Sequence, residues 1–376
     1  MAKLGFREWF AVGRVIANGH LLRSEDSLQM CSQFEADLAR FTKAKHTIAV
    51  SSGTAGLICA LQACNIGPGD EVLVPAYTWV ATAGAVLLVG AVPVLVEIDE
   101  SLTIDPIDLE AKLTPRSRAV IPVHMINRPC NMEAILRIAH NNGLRVIEDA
   151  SQAIGVRYKN AFCGTIGDIG VFSFNQYKNM TCGEGGAILT GDPELHDRAL
   201  SAHDMGIGYR THREGGNLPL FLGNNYRISE IQGAILRVQL AKLDGRLNRM
   251  KRNSAMLEEV LKTAGVPLAR RNDPDETLSV ACTFSTEDDA IDFAEKRGVR
   301  RLFDNSKHIY TRWSPILAQR MHHVAFDPWS WAGIPFDQQR NDCPRTLDLL
   351  RRSCAVNLVA SLPYPAAKML ARRLVA

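Results

Sequence analysis

The sequence has no pair of cysteines spaced CxxC, no basic block, no internal repeat, no low-complexity tract and no apolar run long enough to cross a bilayer. Each absence removes a class of protein. Nine cysteines, at positions 31, 59, 64, 130, 163, 182, 282, 343 and 354, are an odd set that fits free buried thiols in a reducing compartment better than a disulfide framework or a metal site. A formal charge of +3, with no stripe of basic and aromatic residues, argues against a nucleic-acid partner. The start, MAKLGFREWF, lacks the apolar run of a signal peptide, so the expected location is the cytoplasm, with no membrane partner. What remains is an ordinary globular composition, 46% apolar and 22% charged over 376 residues, enough for a large domain plus a smaller one.

From about Val50 to about Asp204 short apolar or β-branched runs alternate with helical patterns. The runs are EVLVP at 71–75, VPVLVEI at 92–98, RAVIPVH at 118–124, RVIED at 145–149 and GVFSFN at 170–175. TAGLICALQAC has helical spacing after Ser51, Ser52 and Gly53, and EAILRIAHNNG carries Ile135, Ile138 and Ala139 on one face and stops at Gly143. This predicts βα units and a largely parallel sheet. A long amphipathic helix is expected from Ser229 to about Asn253, with Ile231, Ile235, Val238 and Leu243 as its apolar face. Beyond it VACTFS reads as a strand, DAIDFAEKRG as a helix, and HHVAFDPWSWAGIPFDQQRND as a long loop.

Open parallel sheets bind ligands beyond the carboxyl ends of their strands, and four such places carry residues suited to chemistry. SSGTAG at 51–56 offers free amides and a positive helix end to a phosphate, although small residues there could equally be only a cap. Trp79 could stack on a planar ring or be a core aromatic. Asp149 ends a buried strand, where a carboxylate needs a cation or else serves as a helix N-cap. Lys178, in SFNQYKNMTCGEGG, follows the next strand; a lysine desolvated there has a lowered pKa and can form a Schiff base. Ser173 adds a hydroxyl, and Gly183, Gly185 and Gly186 allow close backbone approach. Taken together in this order, the four describe a pyridoxal phosphate site: phosphate cup, ring stacker, pyridinium partner and aldehyde-binding lysine.

The ordered set SSGTAGL, GDEVLVPAYTWVAT, VIEDASQAIG, GDIGVFSFNQYKNMTCGEGG and GNNYRISEIQGA resembles the DegT/DnrJ/EryC1/StrS family of pyridoxal-phosphate sugar aminotransferases. The segment from Val15 to Thr54 and CPRTLDLLRRSCAVNL extend the likeness to both ends of the chain. The resemblance implies an α/β, aspartate-aminotransferase-like fold (fold type I), mainly parallel, with residues 1–245 as N-terminal segment and cofactor domain and 246–376 as a smaller α+β domain. It implies Lys178 as the Schiff-base lysine and proton shuttle, Asp149 on the pyridine nitrogen, and Gln152 near the phenolic oxygen. Gly53, Thr54, Ala55 and Ser173 would line the phosphate cup, and Trp79 would cover the ring. Asn225, or its neighbour Asn224, would reach the phosphate from a second subunit, which implies a homodimer with shared sites. No metal is called for. The implied reaction moves an amino group from glutamate or glutamine to a keto sugar, nucleotide-linked or a cyclitol, in secondary-metabolite or envelope biosynthesis. A non-sugar substrate, or elimination or dehydration, is the alternative, and retention of Lys178 favours transamination over dehydration.

The chain also departs from the family's pattern. Where relatives often read HxxGxPxDM, it has HMINRPCNM, with Asn127 for the glycine, Arg128 for a small or amide residue and Asn131 for the aspartate. Arg128 could bind an anionic substrate group or be a solvated loop arginine. His308, Tyr310 and Trp313 in HIYTRW resemble a substrate-side segment but read more simply as core, and His124 as a satisfied core histidine.

Overall fold

The computed structural model describes residues 4–23, 27–206, 221–276, 278–333, 342–356 and 362–375. Seven strands form the central sheet: β1 (His46–Val50), β2 (Glu71–Pro75), β3 (Val92–Val96), β4 (Ser117–Val120), β5 (Arg145–Asp149), β8 (Ile169–Ser173) and β9 (Gly186–Thr190), in the order β1-β9-β8-β5-β4-β2-β3. Between β5 and β8 lies a separate hairpin, β6 (Arg157–Tyr158) and β7 (Ala161–Phe162). The inner strands are parallel and almost wholly buried, as their unbroken apolar runs require. The sheet is therefore mainly parallel, with β9 as the antiparallel exception, pairing with both β1 and β8. The reading of alternating βα units passes over β1 and β9, because an antiparallel return between parallel strands leaves no mark in their periodicity.

Helices cover both faces: α1 (Phe6–Asn18), α2 (Met30–Thr42), α3 (Gly53–Ala63), α4 (Ala81–Leu88), α5 (Pro106–Ala111), α6 (Met132–Asn142) and α7 (Pro193–His203). Helix α3 begins where the Ser52 hydroxyl accepts from the Ala55 amide at 3.0 Å, and α6 ends at Gly143, whose φ of 65° is left-handed. The long helix expected from Ser229 is two: α8 (Glu230–Ala241) and α9 (Leu243–Thr263). Its expected face is also displaced. Gly233, Ala234, Leu236 and Leu240 are buried while Ile231, Ile235 and Val238 are half-buried, because a Cβ on Gly233 would lie 2.6 Å from the Cys31 amide and the helix turns that side to α2.

Helix α9 runs through the expected boundary at 245/246 and leads to a three-stranded antiparallel sheet, β10 (Val280–Thr283), β12 (Ser353–Val356) and β11 (Val299–Arg301). With α10 (Glu287–Ala294), α11 (Pro344–Arg351) and α12 (Tyr364–Arg373), this sheet encloses its own cluster around Leu257, Cys282 and Phe293. The expected loop at 322–342 contains a helical turn, Pro328–Trp331; residues 334–341, and the Asn357 and Leu358 that end the C-terminal motif, lie outside the described residues. Eight of the nine cysteines are buried and all are free. Among the described residues no helix is long and apolar enough to cross a membrane, and no group of side chains could hold a metal ion.

Candidate active site

Strand register puts the chemistry at one edge of the sheet. Val50 and Ser173 both pair with Gly186, and Asp149 pairs with Val171, so the residues following β1, β5 and β8 emerge side by side. At the first of these ends α3 presents the amides of Gly53 and Thr54, which have no partner among the described residues. A Cβ on Gly53 would stand 3.0 Å from both Ser151 Oγ and Ser173 Cβ, and one on Gly186 would stand 2.6 Å from the Ser52 backbone. Glycine at 53 and 186 thus leaves a concave corner walled by two hydroxyls and a helix N-terminus, the arrangement that takes a phosphate. Ser151 was not singled out in the sequence; as one serine after a strand it carries no signal.

Asp149 sits beside this corner, 5% exposed. Thr82 donates to its Oδ2 at 2.9 Å and the Ser151 amide to its Oδ1 at 3.1 Å, while Thr82 in turn contacts the Thr78 hydroxyl at 2.8 Å. The N-cap alternative for Asp149 is not what the structure shows: the loop after β5 is a turn, with no helix for it to cap. Lys178 is half-buried, and among the described residues its ammonium makes no hydrogen bond or ion pair. Burial lowers its pKa below the ordinary lysine value, against the opposing charges of Asp149 and Glu184.

The substrate side of the lysine is closed by a segment from the far end of the chain. Thr78 donates its amide to the His308 carbonyl at 3.0 Å and Tyr310 to that of Ala76 at 3.1 Å, which stitches HIYTRW antiparallel to the loop after β2. His308 thereby lies 5.5 Å, ring to ring, from Trp79, and its Nε2 is 3.5 Å from Gln152 Nε2. Burial, then the charges of Lys178, Arg300 and Lys307, push the imidazole down to about 4, so it is neutral; its buried Nδ1 has no partner. Tyr310 and Trp313 are core residues, as read, whereas His308 is part of the site. Trp79 is 42% exposed and so is not the core aromatic it could have been.

Gln152 accepts the Ile126 amide on Oε1 at 3.1 Å, leaving its NH₂ toward His308. Asn225 lies at the surface, its Oδ1 accepting from the Arg227 amide at 3.4 Å, and Asn224 is exposed beside it. Neither reaches the corner of its own chain, although the neighbouring Tyr226 carbonyl accepts from Ser51 at 2.7 Å. Arg128 is neither anion ligand nor solvated: it is 4% exposed and donates to the carbonyls of Ser101, Ala269 and Arg270, tying the β4–α6 loop to the chain after α9. His124 is a satisfied core histidine, accepting from the Cys130 amide at Nδ1 and donating to Glu148 from Nε2 at 2.9 Å. Asn131 caps α6 through the Ala134 amide at 3.2 Å.

Comparison with known proteins was made against this geometry. The DegT/DnrJ/EryC1/StrS aminotransferase family matches over residues 13–321. A dTDP-3-amino-3,4,6-trideoxy-alpha-D-glucose transaminase of Streptomyces venezuelae is 39% identical over 260 residues, 68% of this chain; the match spans 65% of that relative's length. An aminotransferase from Psychrobacter cryohalolentis superposes with a TM-score of 0.81 at 26% identity, covering 99% of this chain and 96% of its own. S. venezuelae DesV, solved in complex with a ketimine intermediate, gives 0.77 at 30% identity, covering 98% and 93%.

Proposed function

Because this chain belongs to the DegT/DnrJ/EryC1/StrS aminotransferase family, we propose that it is a pyridoxal-phosphate aminotransferase that moves an amino group from glutamate or glutamine to a keto sugar, a nucleotide-linked hexose or a cyclitol. Building a secondary metabolite or an envelope sugar is the setting this fits. The observation that carries the reading is Lys178: an ammonium shielded from water, with no partner, between a buried carboxylate and a phosphate-shaped corner. Such a group is costly as structure and useful as a nucleophile.

The residues present fit the cofactor. When bound, pyridoxal phosphate supplies an aldehyde that takes up amines and a ring that takes up electrons. Gly53, Thr54, Ala55 and Ser173, with Ser151, would hold its phosphate; Trp79 would cover the ring with its free face. Asp149, with lone pairs to spare, would hold a proton on the ring nitrogen, and the Gln152 NH₂ would donate to the phenolic oxygen. Lys178, its pKa lowered by burial, takes a proton from the donor's α-carbon and returns one to the acceptor carbon. His308, neutral beside it, adds a polar group on the substrate side without adding charge. The loaded protein should be yellow, and borohydride should fix the cofactor on Lys178; a label mapped to another lysine sinks the assignment. Restoring the spectrum of the pyridoxamine form with keto sugars and cyclitols then names the acceptor class, and a response only to amino-acid-like ketones points to the non-sugar alternative.

The cup is completed, in this reading, by Asn225 of a second copy. Phe6, Trp9, Phe10 and Ile16 of α1 are more than half exposed, an apolar face of the kind a homodimer covers. Mixing inactive Lys178→Ala chains with inactive Asn225→Asp chains should restore part of the activity, since one site of each heterodimer then collects neither defect. Confirmed exchange with no recovery counts against shared sites. We keep the division of the chain at the start of α9, into 1–245 and 246–376, as the frame in which the site opens.

A further inference from the structure

Ile126 and Asn127 stand in the left-handed region, with φ of 48° and 59°. A β-branched residue there is strained and persists only where its surroundings hold it. They do so on both sides. The His124 amide donates to the Asp149 carbonyl at 3.1 Å before the turn; after it, the Arg128 amide closes on the Met125 carbonyl at 2.9 Å, and the Arg128 guanidinium is bound by three carbonyls.

What the strained pair delivers is two hydrogen bonds in opposite directions. The Ile126 amide fixes the Gln152 Oε1 at 3.1 Å, and Asn127 Oδ1 accepts from Asn179 Nδ2 at 2.8 Å. Asn179 follows Lys178 directly, and its carbonyl accepts from Arg246. Its side chain and backbone are therefore held from two sides, by the turn after β4 and by α9. Asn127 occupies the place where relatives often carry glycine, which could adopt this backbone but could not make the bond.

Resting on the reading of Lys178 as the reacting amine, we propose that Asn127 is a positioning residue: through Asn179 it sets the lysine loop in register with the Gln152 amide, making the Ile126–Asn127 turn the strut between the two groups. The side chain touches neither lysine nor cofactor and acts only through its neighbour.

The test compares Asn127→Gly, which suits the left-handed backbone and deletes only the side-chain bond, with Asn179→Ala and the double variant, all loaded with pyridoxal phosphate. The pH midpoint of the bound chromophore is read alongside kcat and KM for glutamate. Asp149, Glu184 and His308, the titratable groups facing Lys178, are unchanged in all three, so a moved midpoint reports a moved lysine. We expect the midpoint to shift and kcat to fall on the order of tenfold in each single variant with KM little altered, and the double to be no worse than either single. Wild-type midpoints and kcat in both singles, whatever happens to the melting temperature, overturn the proposal, as does a double variant whose losses simply add. Failure of the wild-type protein to take up the cofactor would instead overturn the function it rests on.

Discussion

Glu148 and Asp149 are consecutive on β5, both buried, and point to opposite faces of the sheet. Glu148 is saturated: the amides of Gly164, Ile166 and Gly167 and the His124 imidazole give it four donors at 2.5 to 2.9 Å. Asp149 receives two, from Thr82 and Ser151, although a carboxylate can accept about four. The two histidines repeat the contrast. Both ring nitrogens of His124 are engaged, whereas His308 keeps a buried Nδ1 without a partner. Burial is thus a poor sign of function here, because it is common to both members of each pair. Unspent hydrogen-bonding capacity is the sign, since folding alone would have filled it.

The comparison can be broken most decisively at Asp149. Asp149→Asn should keep the cofactor bound and lose roughly a hundredfold or more in turnover, as the amide cannot hold a proton on the ring nitrogen. Steady-state rates with an absorbance spectrum check this, and near wild-type turnover would return Asp149 to the structural class of its neighbour. Glu148→Gln should do the reverse. An NH₂ group facing backbone donors should cost about 1–3 kcal/mol in denaturant unfolding while leaving turnover per folded molecule nearly unchanged. A larger effect on kcat than on stability would show that the saturated carboxylate also serves the reaction.

The smallest effect is expected at His308 and depends on pH. Its folded pKa of about 4 lies below the unfolded value of 6.5, so between them the unfolded chain binds the extra proton. The contribution to stability is complete above 6.5 and is lost as pH falls through 4. His308→Gln should flatten that acid limb by about 1 kcal/mol, after allowance for the ring's partial exposure. Unfolding midpoints compared across the window decide it; parallel slopes for variant and wild type would mean that the imidazole is not held neutral by the fold.

Much of the site was legible because its residues follow strands directly. Once EVLVP, RVIED and GVFSFN are strands of one parallel sheet, Trp79, Asp149 and Lys178 must emerge at one edge, and SSGTAG must offer its amides there. Gln152 and Asn225 came from family likeness and not from spacing. Thr82, Ser151 and His308 were not legible as site residues. A threonine one turn into a helix looks like any other, and His308 is 130 residues from Lys178 along the chain. Its place depends on pairing between 76–78 and 308–310, which no local pattern encodes.

Arg128 and Ile126 mark the same divide. The sequence by itself determined the order of strands and helices, the buried faces of the inner strands and α6, and the reacting lysine, because these depend on periodicity and on what directly follows a strand. Only the tertiary structure decided that Arg128 is used up on backbone carbonyls, that Ile126 is held left-handed, and which of two adjacent carboxylates has capacity left. Each of those depends on which distant donors and acceptors arrive, and their arrival is settled by packing over long range rather than by neighbours in the chain.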